Sequence, residues 1–158
     1  MMYVEKIFMP VSIDNGGYRS FGWVDPTSGK THNGHDFNCP LNTQVVAVCS
    51  GDVVFSGAMS GFGGLNPSLP GGITIIKHER NDKVFYAVYG HITTNVKIGK
   101  KVKGGEVIGF VAKFINGGVL CPHLHFSIWD GISYPPAPYG YVADIKKWVN
   151  PVNFIKAG

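Results

Sequence analysis

The chemistry available to this chain is concentrated in six histidines: His32, His35, His78, His91, His123 and His125. His32-Asn-Gly-His-Asp36 is an HxxxD spacing, and His123-Leu-His125 is an HxH spacing inside a strand-like run, Pro122 to Trp129. Residues two apart on a strand share a face, so His123 and His125 point to one site while Leu124 and Phe126 point into packing. His32 and Asp36, four apart, also share a side and can converge. Two imidazoles and a carboxylate make a zinc shell, and three protein ligands leave a position open, as in catalytic sites. A metal held this way lowers the pKa of water towards about 7 and polarises a carbonyl. A neighbouring histidine can then move protons. The spacing leaves open which histidines bind and which are buried or surface residues without chemistry.

Cys121 lies two residues before His123 and is a candidate nucleophile, although the histidine pattern offers better chemistry. Cys39, Cys49 and Cys121 match no CxxC pattern. Cys39 and Cys49 form either a bridge in an exported protein or two buried thiols.

Short runs rich in Val, Ile and aromatics must position these groups. Gln44–Val48, Asp52–Phe55, Ile73–Lys77, Val84–Tyr89, Glu106–Val111 and His123–Trp129 read as strands between Gly-rich breaks. Asn81-Asp82 reads as a hairpin turn. Helical periodicity is scarce, and the best candidate is a short turn around Val142–Trp148. Two long connections, Ser56–Gly72 and Asp130–Ala143, are long enough to be functional. The second carries Tyr134, Pro135, Pro136, Pro138, Tyr139 and Tyr141, which suit an ordered groove wall. The expected fold is mostly β: a single domain built as an antiparallel β-sheet or barrel-like arrangement, with long groove-forming loops.

The chain has 158 residues, the size of one domain. With 44% hydrophobic and 15% charged residues, disorder is excluded. No apolar run is long enough to cross a bilayer, and nothing resembles a nucleic-acid module. The first residues do not read as a secretory signal. Net charge is +4, and the one dense cluster is Lys97, Lys100, Lys101 and Lys103, read either as a solvated turn or as a contact for an anionic polymer.

Taken in order, these segments resemble the lysostaphin-type peptidoglycan endopeptidases, a family of bacterial and phage zinc metallopeptidases. His32, Gly34 and Asp36 look like the family's HxGxD. Val45–Val54, Gly71–His78, Tyr89-Gly90-His91 and Val102–Gly109 follow in family order. Pro122-His-Leu-His-Phe126 is the most specific signature, and Val149-Asn-Pro151 resembles the common end. The resemblance implies a duplicated hybrid motif fold with zinc, one per chain, on His32, Asp36 and His125. It implies that His91 and His123 act beside the metal, as general base or as stabilisers of the tetrahedral intermediate. His78 is expected to be structural, and His35 to point away.

Residues 1–29 are expected to form an N-terminal strand and loop bordering the site, with Tyr18, Phe21 and Trp23 as wall or core aromatics, and residues 30–158 the catalytic domain. The stretch before the signature, Asn116 to Cys121, lacks the family's usual Ser and Thr, which leaves specificity open. The expected function is zinc-dependent hydrolysis of peptide bonds in peptidoglycan cross-links or stems. The chain would act at the cell wall, as a periplasmic or extracellular enzyme or as a phage or prophage lysin. The alternative is a catalytically silent peptidoglycan-binding or activator protein on the same fold. A carrier-type β domain and a zinc amidase are further rivals. The carrier has no use for the histidine signature, and product identification separates the amidase. Ligation needs Asp36 ionised and His32 and His125 neutral, so activity is expected to fall in acid.

Overall fold

The computed structural model describes residues 5–16, 19–64, 71–135 and 140–158. Tyr18, Pro136, Pro138 and Tyr139, named above, lie outside the described residues. In chain order the strands are β1 (Thr31–His32), β2 (Gly34–Asn38), β3 (Gln44–Val46), β4 (Gly51–Gly57), β5 (Ile73–Arg80), β6 (Lys83–Gly90) and β7 (Ile92–Thr94). They continue with β8 (Lys101–Val102), β9 (Val107–Val111), β10 (Ile115–Asn116), β11 (Val119–Leu120), β12 (His123–Trp129), β13 (Tyr141–Val142) and β14 (Trp148–Val149). Each of the six runs read as strands carries one of these elements, and every strand pairing is antiparallel.

The largest sheet runs β14-β12-β6-β5-β4-β8, with β2 also on β12. A second sheet runs β3-β9-β7, and β1–β13 and β10–β11 are small ladders. The expected mostly β, antiparallel architecture is the one observed, and the large sheet is open rather than a closed barrel. Its outer strands β8 and β14 have two residues each, too short to carry the ladder round to closure. The main core fills the space between the two sheets, joining Val45, Ile92, Ile108 and Val111 to Ile76, Ala87 and Phe126.

The β5–β6 hairpin turns on Asn81 and Asp82, with φ of 55° and 63°. Asn and Asp tolerate this left-handed backbone, and the resulting tight turn matches the twist of paired strands. Residues 142–148 are not helical. Val142 pairs with Thr31, Trp148 pairs with Trp129, and both are buried in a second apolar cluster. Cross-strand burial overrides a weak local helical pattern there, and Lys147 turns the chain at φ 73°. The one helix among the described residues, α1 (Pro151–Ala157), begins where Asn150 caps it. The Asn150 Oδ1 accepts from the amides of Val152 and Asn153, and Pro151 has no amide to leave unpaired.

Two of the clustered lysines are paired at the surface, Lys100 with Glu106 (3.2 Å) and Lys101 with Asp52 (3.0 Å). Cys39, Cys49 and Cys121 are free thiols. Cys39 and Cys49 are buried, and burial pushes the Cys49 thiol up to about 12.

His78 is structural. Its ring stacks on Phe85, with centroids 5.0 Å apart. A carbonyl can only accept, so Nδ1–H donates to the Ser50 carbonyl (3.1 Å). Nε2 is then an acceptor, and the Tyr89 hydroxyl donates to it (2.9 Å) while accepting the Val48 amide (3.1 Å). Burial holds the His78 pKa down to about 4. Because the unfolded chain takes up its proton first, at about 6.5, stability is lost as pH falls from about 6.5 to about 4. Denaturant titrations of the metal-free protein and of His78→Gln test this. The wild type's advantage should shrink by about 3 kcal/mol between pH 7.5 and pH 4.5.

Candidate functional site

The β2–β12 ladder sets His125 directly opposite Asp36. Residues directly opposite in an antiparallel pair put their side chains on the same face. Gly34 makes the ladder close enough. A Cβ there would lie 2.5 Å from the Phe126 carbonyl oxygen and 2.9 Å from the His125 ring, so only glycine fits between His32 and Asp36. His32 enters from β1, where its partner is Tyr141.

The segment before β1 orients both groups through its backbone. The Ser20 carbonyl accepts the His32 Nδ1–H (3.0 Å), which turns Nε2 towards Asp36. The Arg19 carbonyl accepts the Asp36 amide (2.9 Å), and the Trp23 carbonyl accepts the His32 amide (2.7 Å).

His32 Nε2 lies 3.3 Å from Asp36 Oδ1, and His125 Nδ1 lies 3.1 Å from the same oxygen. The three ligand atoms all fall within 4.8 Å of one another. Zinc bonds of about 2.0–2.1 Å in tetrahedral array put ligand atoms about 3.3–3.4 Å apart, so the separations to Asp36 Oδ1 fit that ion. The donor chemistry fits as well, with two imidazoles and one carboxylate. Burial acts to raise the Asp36 carboxyl, but hydrogen bonds from His125 and His32 outweigh it and hold it far below the usual carboxylate range. Burial lowers the His125 pKa against the opposing pull of Asp36. An ionised carboxylate and a neutral imidazole are the states in which these groups bind a metal.

His123 and His91 adjoin this trio. The Cys121 carbonyl accepts the His123 Nδ1–H (2.8 Å), and the other ring nitrogen lies 3.8 Å from Asp36 Oδ2. His91 follows the last residue of β6, and simple alternation would send its ring to the face opposite Gly90. A left-handed backbone, φ 63°, turns it into the cleft, 4.6 Å from the His123 ring. Such a backbone is uncommon outside glycine and clusters at functional sites. Burial, with His123 and His125 close by, keeps His91 well below the usual histidine range. Its Nδ1 has no hydrogen-bond partner among the described residues.

All five expected positions therefore line one cleft of about 380 Å³. Both long connections wall it, the first through Ser60, Gly61 and Phe62 and the second through Gly140 and Tyr141. His35 is elsewhere, edge-on to Phe37 and 3.5 Å from Asp14. Trp23 packs beside Tyr141, whereas Phe21 packs against the second apolar cluster. Sequence reasoning missed Arg19, Lys30 and Phe114, which also line the cleft. No spacing marks them, because each arrives from a different segment.

The sequence profile of peptidase family M23 matches residues 30–136. The chain is 38% identical to lysostaphin of Staphylococcus simulans over 118 residues, covering 71% of this chain and 22% of that one. It is 32% identical to the DD-carboxypeptidase/endopeptidase Mpg of Neisseria meningitidis serogroup B, covering 61% and 20%. The chain thus spans about a fifth of the length of these relatives. The lysostaphin catalytic domain superposes with a TM-score of 0.65 at 27% identity, over 89% of this chain and 92% of that structure. A zinc-containing peptidase from Vibrio cholerae superposes at 0.57 and 25% identity, over 78% and 37%.

The closeness of β2 to β12 at Gly34 is open to test. Gly34→Ala should cost about 2 kcal/mol or more, because the obstacle is a strand carbonyl and cannot swing aside. It should also weaken zinc binding, since the same ladder sets the separation of Asp36 and His125. Denaturant titration and competition against a zinc-chelating dye measure the two effects.

Proposed function

The chain belongs to peptidase family M23, and on that premise we propose that it is a zinc-dependent endopeptidase that cuts peptide bonds in bacterial peptidoglycan. The reading is carried by one observation: His32 Nε2, Asp36 Oδ1 and His125 Nδ1 converge beside His91 and His123 in a single open cleft. It is supported by a relative named as a DD-carboxypeptidase/endopeptidase and by a structural neighbour described as the catalytic domain of an antimicrobial peptidase. The chain would act at the cell wall.

His32, Asp36 and His125 would hold one zinc ion. Zinc, when bound, polarises a carbonyl and brings the pKa of water near neutrality. The chain's own residues then do three things. Phe62, against the rings of His91 and His125, and Phe114, against those of His91 and His123, exclude bulk water. His123, fixed by the Cys121 carbonyl, presents Nε2 to the cleft, where it accepts a proton from the attacking water and returns one to the leaving amine. His91 remains neutral at pH 7 and supplies a ring N–H towards the carbonyl oxygen as charge builds there. An activator without chemistry needs none of these groups, and all five are intact.

Incubation of the zinc-loaded protein with peptidoglycans of differing bridge chemistry, followed by mass spectrometry of soluble fragments, tests the proposal. New amino and carboxyl ends within the peptide, lost on chelation, are the expected result. A wall that is bound but never cut sinks it. Two classes of variant should separate. Asp36→Ala loses the metal. His91→Ala and His123→Ala keep about one zinc per chain, yet turn over roughly 10²–10⁴-fold more slowly, as expected for groups that move or stabilise protons.

A further inference from the structure

His32 and His123 turn Nδ1 to backbone carbonyls, which only accept, so each ring keeps a proton on that nitrogen. His125 is turned the other way. Its Nδ1 faces Asp36 Oδ1 (3.1 Å), and its Nε2 is buried with no hydrogen-bond partner among the described residues. The next residue on that face of β12, Ser127, shares the feature. It is fully buried, and its Oγ has no partner among the described residues. Its neighbours across the ladders are Gly34 of β2 and Val88 of β6, whose side chains offer no hydrogen bond. The two polar atoms lie near each other. The position a Cβ on Gly34 would take is 2.9 Å from His125 Cε1 and 2.9 Å from Ser127 Cβ, so those carbons are at most twice that, 5.8 Å, apart. Nε2 and Oγ are each one bond from these carbons. A water bonded on both sides bridges about 5–6 Å, and two polar partners are enough to hold one.

His125 also has a task that the other two rings lack. A carboxylate oxygen only accepts, so in the metal-free chain Nδ1 carries the ring proton and Nε2 the lone pair. Ligation through Nδ1 requires the reverse, with the proton on Nε2. A carbonyl beside Nε2 would suit only the second state. A hydroxyl and a water each give or accept a hydrogen bond, so they suit both.

We propose that Ser127 is a positioning residue: through one bound water its hydroxyl holds His125 Nε2 in both tautomers, and so keeps the ring aimed as zinc enters. The ring gives up a proton at Nδ1 and takes one up at Nε2 from solvent, so its charge is unchanged. This rests on the reading of His32, Asp36 and His125 as the zinc ligands.

Ser127→Thr and Ser127→Val test it, because the two replacements have one shape and differ in the hydroxyl. Competition against a zinc-chelating dye should show Ser127→Val binding zinc roughly tenfold or more weakly than Ser127→Thr, the scale for losing the partner of a metal-ligating histidine. Equal affinities overturn the proposal, since a hydroxyl that only fills space would leave zinc binding unmoved. A crystal structure of the zinc-loaded wild type should place one water within about 3.2 Å of both His125 Nε2 and Ser127 Oγ. Nitrogen-15 NMR should show the His125 proton on Nδ1 without metal and on Nε2 with it. The absence of a shared water, or an unchanged tautomer, overturns the bridge. If the wild type takes up no zinc, the metal-site reading has failed separately, and the water in the metal-free crystal then decides for or against the bridge. Should Ser127→Val not fold, the wild-type water and tautomers decide.

Discussion

A carboxylate buried to 3% exposure must be given partners, and supplying them to Asp36 organises the cleft. One oxygen is shared by two imidazoles and the other faces a third. Those rings come from β1 and β12, so the ladder that holds β2 against β12 also assembles the charge. Asp36 is thus both the electrostatic centre of the site and a member of the sheet that frames it. The sheet's other face is apolar at the same level. Leu124 and Phe126 alternate with His123 and His125 and are fully buried in the main core. Core packing and site geometry are therefore two faces of one strand, and neither can shift alone.

A second buried imidazole network, that of His78, sits away from the cleft and has a different character. His78, Tyr89, Ser50 and Val48 satisfy one another completely, with every partner drawn from the chain. In the cleft, by contrast, His91 Nδ1 and His125 Nε2 are buried without a partner among the described residues. Closed networks rigidify a fold, while open ones cost stability and are kept for chemistry. That contrast separates His78 from His91 and His125 on physical grounds.

Much of this was legible in the sequence because it is local. Period-two alternation sends His123 and His125 to one face and Leu124 and Phe126 to the other, and Asn81-Asp82 specifies its own turn. Gly34 was visible within the HxGxD spacing, but its reason, the approach of the Phe126 carbonyl, is a fact about another strand. Residues 142–148 were misread because burial of Val142 and Trp148 depends on partners more than a hundred and about twenty positions away, respectively. Helix α1 was overlooked although Asn150-Pro151 is a start signal, since seven residues carry little periodicity. Arg19 and Phe114 gave no sign, for their place in the cleft follows from tertiary folding alone. Whether the sheet closes depends on strand length at its edges, which runs of apolar residues do not report.

The way the cleft histidines are oriented bears on how such a site can diverge. His32 is aimed by the carbonyl of Ser20, and His123 by the carbonyl of Cys121. Every amino acid carries that acceptor, so the side chains at positions 20 and 121 are released from the task of steering the rings. Mutational drift can rewrite these stretches while the imidazoles keep their aim. New substrate preferences are then reachable through viable intermediates, one neutral exchange at a time.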